Sequence, residues 1–329
     1  MASLQSIAKE LVLPKKGILA ADESIGTAGK RLESVGVSNT EEHRRMYREL
    51  LFTTSEIETY LSGVILFDET MYQSSGDGVL FPTVLRNKGI HAGIKVDMGT
   101  VAMPESSEET ITMGLDGLSE RLQAYKEHGA TFAKWRAVFS ITNVFPSEEC
   151  VRENARILAE YAFLCQQAGI VPIVEPEVLM TGTHTIERCY EVTTRVLCAV
   201  FLELEKCGVQ LDGMLLKPNM ITPGDACPVP ASADTVAHMT VACLKASVPT
   251  AVPGIVFLSG GQSEEDACTH LRLMQELVVD EPWELSFSFG RALQARTLET
   301  WRGEQENREK AQAVFLRTVK TVSQARDGE

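Results

Sequence analysis

The 329-residue sequence is short of positive charge: 31 lysines and arginines stand against 45 aspartates and glutamates, a formal charge of -14. A general field of that sign repels polyanions, which excludes a nucleic-acid or anionic-membrane surface as the working face. Any anionic ligand has to be held by a local cluster of cations and amides. No Cys-x-x-Cys spacing occurs among the eight cysteines, and several fall inside helical patterns. Free thiols in a reducing compartment, by default the cytoplasm, are therefore expected. The six histidines show no His-x-x-x-His spacing, so neither a metal nor another cofactor is signalled. The absence of a Walker sequence and of Gly-x-Gly-x-x-Gly argues against a nucleotide ligand. No apolar run approaches membrane-spanning length, and the first ten residues are too polar for a secretory signal. Linkers rich in Pro, Gly or Ser, fixed-length repeats and low-complexity blocks are also missing, so residues 1–329 read as one domain.

With 44% hydrophobic and 23% charged residues, the chain can bury a sizeable core. Its length suits two average domains or one large α/β barrel. Eight apolar runs of strand length decide between them, at 17–22, 63–68, 92–97, 132–138, 171–177, 213–220, 254–259 and 285–290. Most lie about 30 to 45 residues apart, as an eight-fold repeat of strand and helix requires. The expectation is an α/β fold, a single (β/α)8 TIM barrel. Residues 304–329 should add a C-terminal helix with a polar end and a short tail. Helix signals fall between the runs. Ser147 is a fitting N-cap before Glu148 and Glu149, with Val151, Ala155, Leu158, Ala162 and Cys165 on one face and Gly169 as the stop. Ser263 with Asp266 suggests a capping box ahead of Leu271, Met274 and Leu277.

In such barrels the chemistry sits at the C-terminal ends of strands. Asp22, Lys95, Lys134, Arg136, Glu175, Glu177, Lys217, Ser259 and Arg291 all fall there. Lys217 ends an apolar run and precedes Pro218, which stops the ladder. That octet alone fits either a lysine reaching solvent or an amine lining a pocket. A lysine acts as a nucleophile when burial or an adjacent cation favours its neutral form, and Lys134 is the expected cation. Three lysines in or at the ends of apolar runs beside carboxylates suggest a charge network. The turn Ser259-Gly260-Gly261 precedes a helix, and Gly290-Arg291 holds the matching place after the eighth run. Loops seven and eight are a frequent phosphate site in this fold.

These residues carry a resemblance. The blocks 17–24, 93–97, 132–136, 170–177, 215–220, 258–263 and 290–294 resemble a class I fructose-bisphosphate aldolase, in order and over nearly the whole chain. The resemblance implies an aldehyde-lyase of glycolysis and gluconeogenesis. It would reversibly cleave fructose 1,6-bisphosphate to dihydroxyacetone phosphate and glyceraldehyde 3-phosphate, without a metal, and assemble as a homotetramer. Lys217 would form the Schiff base, Glu175 would move protons with support from Glu177, and Asp22 and Lys134 would assist carbon–carbon cleavage. Ser259, Gly260, Gly261 and Arg291 would hold one phosphate, with Gly290 beside them. Ser24, Thr27 and Lys95 would hold the other, and Arg31 and Arg136 would line the cleft. The family's known tail ends in a tyrosine assigned to protonating the carbanion. The last tyrosine here is Tyr190 and the sequence ends Arg326-Asp327-Gly328-Glu329, so protonation is expected not to depend on such a residue. Two other readings remain: a Schiff-base paralogue acting on another phosphorylated ketose, and a non-catalytic barrel scaffold.

Overall fold

A computed structural model describes residues 2–104, 106–278 and 280–328. Glu329, the last residue of the expected tail, lies outside them. The strands are β1 (Gly17–Ala21), β2 (Leu61–Leu66), β3 (His91–Lys95), β4 (Thr100–Met103), β5 (Ser106–Thr112), β6 (Ala130–Phe139), β7 (Val171–Val178), β8 (Leu215–Leu216), β9 (Gly254–Phe257) and β10 (Glu284–Phe289). Eight of them close into a parallel barrel in the order β1-β10-β9-β8-β7-β6-β3-β2. All eight apolar runs thus become barrel strands.

The sixth run is shorter as a strand than its apolar length suggests. Only Leu215 and Leu216 pair regularly, because Leu211–Gly213 is a 3-10 turn and Pro218 has no amide to donate. Lys217 still donates its backbone amide to Val174 O at 2.8 Å, which keeps it in register with β7. The antiparallel pair β4–β5, inserted between β3 and β6, has no counterpart in the sequence reading. β4 is only four residues long and largely exposed, and β5 is mostly polar, so no apolar run of strand length marks the pair.

Side chains alternate across each strand, and the two faces find different partners. Ile18 and Ala20, Phe132, Val171 and Ile173, and Leu215 form one buried cluster inside the ring. Ile7, Ala8, Leu11 and Val12, on or just after the helix Leu4–Leu11, join this cluster and seal the N-terminal end of the barrel. The intervening residues, among them Leu19, Ala133, Trp135, Val174 and Leu216, face the helices. Trp135 packs on Tyr161 with ring centroids 5.4 Å apart, and Tyr161 donates its hydroxyl to Ala133 O at 2.8 Å.

The predicted helix stops hold. Ser147 accepts from Cys150 N at the head of Glu148–Gln167, and Gly169, with φ of 71°, follows its end. Cys150 and Cys165 are core residues of that helix. Ser263 caps Glu264–Leu277 by accepting from Asp266 N. The Asp266 carboxylate accepts from the Ser263 hydroxyl at 2.7 Å, a variant of the expected box. At the C-terminus, the expected helix begins later, at Arg308, after a 3-10 turn over Gln305–Asn307. Its end is not a free polar tail. Arg326 is buried and donates to Val12 O at 2.9 Å and Glu284 Oε2 at 3.1 Å.

Two strand glycines admit the large rings at the barrel's base. A Cβ on Gly93 would lie 2.2 Å from the Phe132 ring, and one on Gly17 would lie 2.5 Å from Phe287. Overfilling a packed core forces strained rotamers or strand shifts. Gly93→Ala is therefore expected to cost about 1–3 kcal/mol of stability, read as a lowered urea midpoint at unchanged m-value.

Candidate active site

The same alternation that builds the apolar base builds a charged mouth. Continuing inward along β7 from Val171 and Ile173 come Glu175 and Glu177; along β6, Phe132 is followed by Lys134 and Arg136. Lys217 follows Leu215 in the same way, and Asp22 follows Ala20. The period of two brings these charges to the C-terminal rim of the ring. There they line one cavity of about 890 Å³. All fifteen residues singled out in the sequence line it. They are Asp22, Ser24, Thr27, Arg31, Lys95, Lys134, Arg136, Glu175, Glu177, Lys217, Ser259, Gly260, Gly261, Gly290 and Arg291.

Glu175 bridges two buried lysines. Its Oε1 lies 3.0 Å from Lys217 Nζ and its Oε2 lies 3.1 Å from Lys134 Nζ. Each of the three side chains is at most 5% exposed, so Lys217 is not a solvent-reaching lysine. The Oε2 atom has no well-aligned hydrogen bond, which leaves it an open acceptor facing the cavity wall. Lys134 also contacts Asp22 Oδ2 at 2.8 Å and Asp97 Oδ2 at 3.7 Å. Burial would push Lys134 towards neutrality, but Asp22, Glu175 and Asp97 outweigh it and hold the ammonium well above the ordinary lysine range. Burial likewise acts to raise the Asp22 carboxyl. Lys134, Lys217 and Lys95 overcome it and keep that group well below the usual carboxylate range. For Arg136, burial is opposed by its bond to Glu177, and the balance raises its pKa.

The cavity has two ends suited to anions. At one, Gly260 and Gly261 adopt φ of 53° and 91°, conformations that side chains other than glycine rarely hold. A Cβ on Gly261 would lie 3.8 Å from Arg291 Nη2, so the guanidinium stands beside the bare turn. Arg291 opens the helix Arg291–Trp301, whose preceding residue, Gly290, offers no side-chain cap. Its first amides are thus available to a ligand. At the other end, Ser24 caps the helix Ile25–Glu33 by accepting from Thr27 N, with the two hydroxyls 3.1 Å apart. Lys95 is close by, held to Asp97 Oδ1 at 2.6 Å.

Sequence reasoning missed Asp97, Glu23 and Ser288. Asp97 contacts both Lys95 and Lys134, and its place two residues beyond β3 matches that of other rim charges. Glu23 is bound by Arg31, Arg48 and Gln294, residues too scattered in the chain for a spacing signal. Ser288 lies on β10 with its hydroxyl buried and unpartnered at the cavity wall, and a serine within an apolar strand carries no mark of that role.

A (β/α)8 barrel whose C-terminal mouth gathers a buried lysine, a bridging carboxylate and further cations in one cavity has the make-up of a barrel enzyme. The family follows from comparison. The family model described as fructose-bisphosphate aldolase class-I matches residues 3–329. Fructose-bisphosphate aldolase C-A of Danio rerio is 53% identical over 326 residues, covering 99% of this chain and 90% of the relative. Fructose-bisphosphate aldolase C of Homo sapiens is 50% identical over the same shares. Among solved structures, fructose-bisphosphate aldolase from Plasmodium falciparum, in complex with TRAP and a small molecule inhibitor, superposes with a TM-score of 0.97 at 48% identity. That match covers 99% of this chain and 94% of the other. The chain belongs to the class I fructose-bisphosphate aldolase family.

The Lys134 network sets a pH signature. Asp22, depressed in the folded state, contributes stability above the ordinary carboxylate range that is lost as pH falls through its folded pKa. Lys134, raised in the folded state, contributes stability below the ordinary lysine range that is lost as pH rises through its folded pKa. Between those ranges both are charged. Lys134→Met leaves Asp22 without its ion-pair partner and takes one of two lysines from Asp97 and Glu175, and is expected to cost about 3–5 kcal/mol at pH 7 in urea unfolding. Part of that loss should return at pH 5 as the carboxylates left beside the methionine take up protons.

Proposed function

We propose that this chain is a working aldehyde-lyase that cleaves fructose 1,6-bisphosphate reversibly through a Schiff base at Lys217. The observation that carries the reading is Glu175 held between Lys217 and Lys134 inside a cavity with an anion site at each end. In this reading Lys217 Nζ, having passed a proton to Glu175, attacks the ketone carbon as the neutral amine. A second nitrogen proton goes to the former ketone oxygen to give the carbinolamine. The proton held by Glu175 then goes to that hydroxyl, which leaves as water with the iminium behind. Glu177, tied to Arg136, supports the Glu175 carboxylate. The iminium draws the electron pair of the breaking carbon–carbon bond. Asp22, ionised beside Lys134, takes the proton of the hydroxyl that becomes the aldehyde. Proton return to the enamine and hydrolysis of the iminium restore the lysine and consume the water released earlier.

Lys134 remains the fixed charge throughout. Glu175 therefore keeps a cationic partner while the Lys217 nitrogen is neutral, as it is in the carbinolamine and in the enamine. The electrophile is the iminium, which supports a metal-independent reaction. Ser259, Gly260, Gly261, Gly290 and Arg291 would hold one phosphate. Ser24, Thr27, Lys95 and Arg31 would hold the other. Residues 1–329 are read as one domain, supported by the pairing of β1 with β10. A homotetramer in the cytoplasm rests on family membership. Among the described residues no helix is long and apolar enough to cross a membrane.

Borohydride added with dihydroxyacetone phosphate should inactivate the enzyme and place the label on Lys217, with Lys217→Met abolishing both. Label on another lysine would overturn the assignment, and no label would favour the scaffold reading. Arg291→Ala should lower kcat/KM for the bisphosphate on the order of tenfold to a hundredfold and spare an unphosphorylated ketose, since a charge-assisted contact to phosphate is lost.

A further inference from the structure

At the wall of the cavity a single carboxylate, Glu23, gathers three helices. Its side chain is 6% exposed. Arg48, on the helix Glu41–Thr53, donates Nη2 to Glu23 Oε2 at 2.5 Å. Arg31, on the helix Ile25–Glu33, donates Nη1 to Oε1. Gln294, one turn into the helix that Arg291 opens, donates Nε2 to the same Oε1 at 2.9 Å and to Ala20 O at 2.8 Å. Tyr47 donates its hydroxyl to Gln294 O at 3.1 Å and so fixes the amide's helix from behind.

The two arginines are not equivalent. The Arg48 side chain is 4% exposed and Glu23 is its ion-pair partner, so separating them would strand a buried charge. Arg31 is 29% exposed and lines both the main cavity and the small void behind it. One carboxylate faces two guanidinium groups, and the buried pair is neutral without Arg31. If Arg31 left, Oε1 would still accept from Gln294 and Oε2 from Arg48. Neither oxygen would lose its last donor.

We propose that Glu23 is a positioning residue that latches Arg31 at the wall of the cavity, and that an entering phosphate takes Arg31 from Glu23 while the Glu23–Arg48 pair stays shut. This deepens the proposed function and rests on its reading of the Ser24 end as a phosphate site. Arg31 is then a transferable cation: with it the cluster carries one positive charge in excess, and without it the Glu23–Arg48 pair is neutral. Binding costs the rupture of the Arg31–Glu23 contact, so Glu23 tunes affinity downward while holding the loop that carries Asp22 and Ser24.

The test is calorimetric titration with an unreactive hexitol 1,6-bisphosphate, which has no ketone to trap. Arg31→Ala should weaken binding on the order of tenfold to a hundredfold. Glu23→Gln should tighten it about fivefold, because a partly exposed ion pair no longer competes. The double variant should bind as Arg31→Ala alone does, since Glu23 acts on phosphate only through Arg31. Unchanged or weakened binding in Glu23→Gln overturns the latch, as does persistence of its effect in the Arg31→Ala background. Should Glu23→Gln fold poorly, Glu23→Gln with Arg48→Met removes the buried pair as a unit and must show the same tightening. Borohydride labelling of Lys217 with dihydroxyacetone phosphate separates the two failures. A labelled enzyme without the coupling loses only the latch; an unlabelled wild type loses the reading beneath it.

Discussion

The structure of the site depends on one buried cation. Lys134 Nζ is surrounded by Asp22, Asp97 and Glu175, and its side chain is buried. Taking an ammonium out of water costs several kcal/mol unless close anions compensate. Here three lysines, Lys95, Lys134 and Lys217, interlock with those three carboxylates, so the cluster as a whole is neutral. Neutrality is what allows it to be buried. A buried cluster in turn holds its charges in fixed places, which is what an electrostatic catalyst needs.

The barrel supplies the scaffold for that arrangement with little extra machinery. Strands face inward at every second residue; the inner face is apolar towards the end sealed by the N-terminal helix, and β1, β3, β6, β7 and β8 carry or lead into charged residues at the other. Strand pairing then fixes the charges relative to one another; β6 and β7 align Arg136 with Glu175, and β3 and β6 align Lys95 with Lys134. Around the neutral centre lie the uncapped helix start at Arg291 and the capped start at Ser24. An acidic protein thereby sets local cations and amides into one cavity, despite a general field that repels anions.

The cluster around Glu23 extends the same principle one layer outward. It ties together the helix that follows β1 and the helix that follows β10, which carry the two anion-binding ends. Because the ring closes β1 against β10, these helices are neighbours although they lie more than two hundred residues apart in sequence. Closure of the ring is therefore as much a part of the binding site as the strands that carry the lysines.

The sequence by itself determined the eight strands, the cap at Ser147, and the fifteen residues of the cavity. Most of those features are local, because apolar runs, stops and polar ends can be read from neighbours along the chain; Ser24, Thr27 and Arg31 came from the family resemblance instead. It did not determine the β4–β5 hairpin, which is short and largely exposed on β4, or the burial of Arg326, whose partners Val12 and Glu284 are distant in sequence. Nor did it reveal Asp97 as the link between two lysines, or Glu23 as the shared partner of two arginines. Only the closed barrel decided those. Ion pairs and hydrogen bonds act over a few ångströms, and which groups come that close is set by packing between segments that the chain itself keeps far apart.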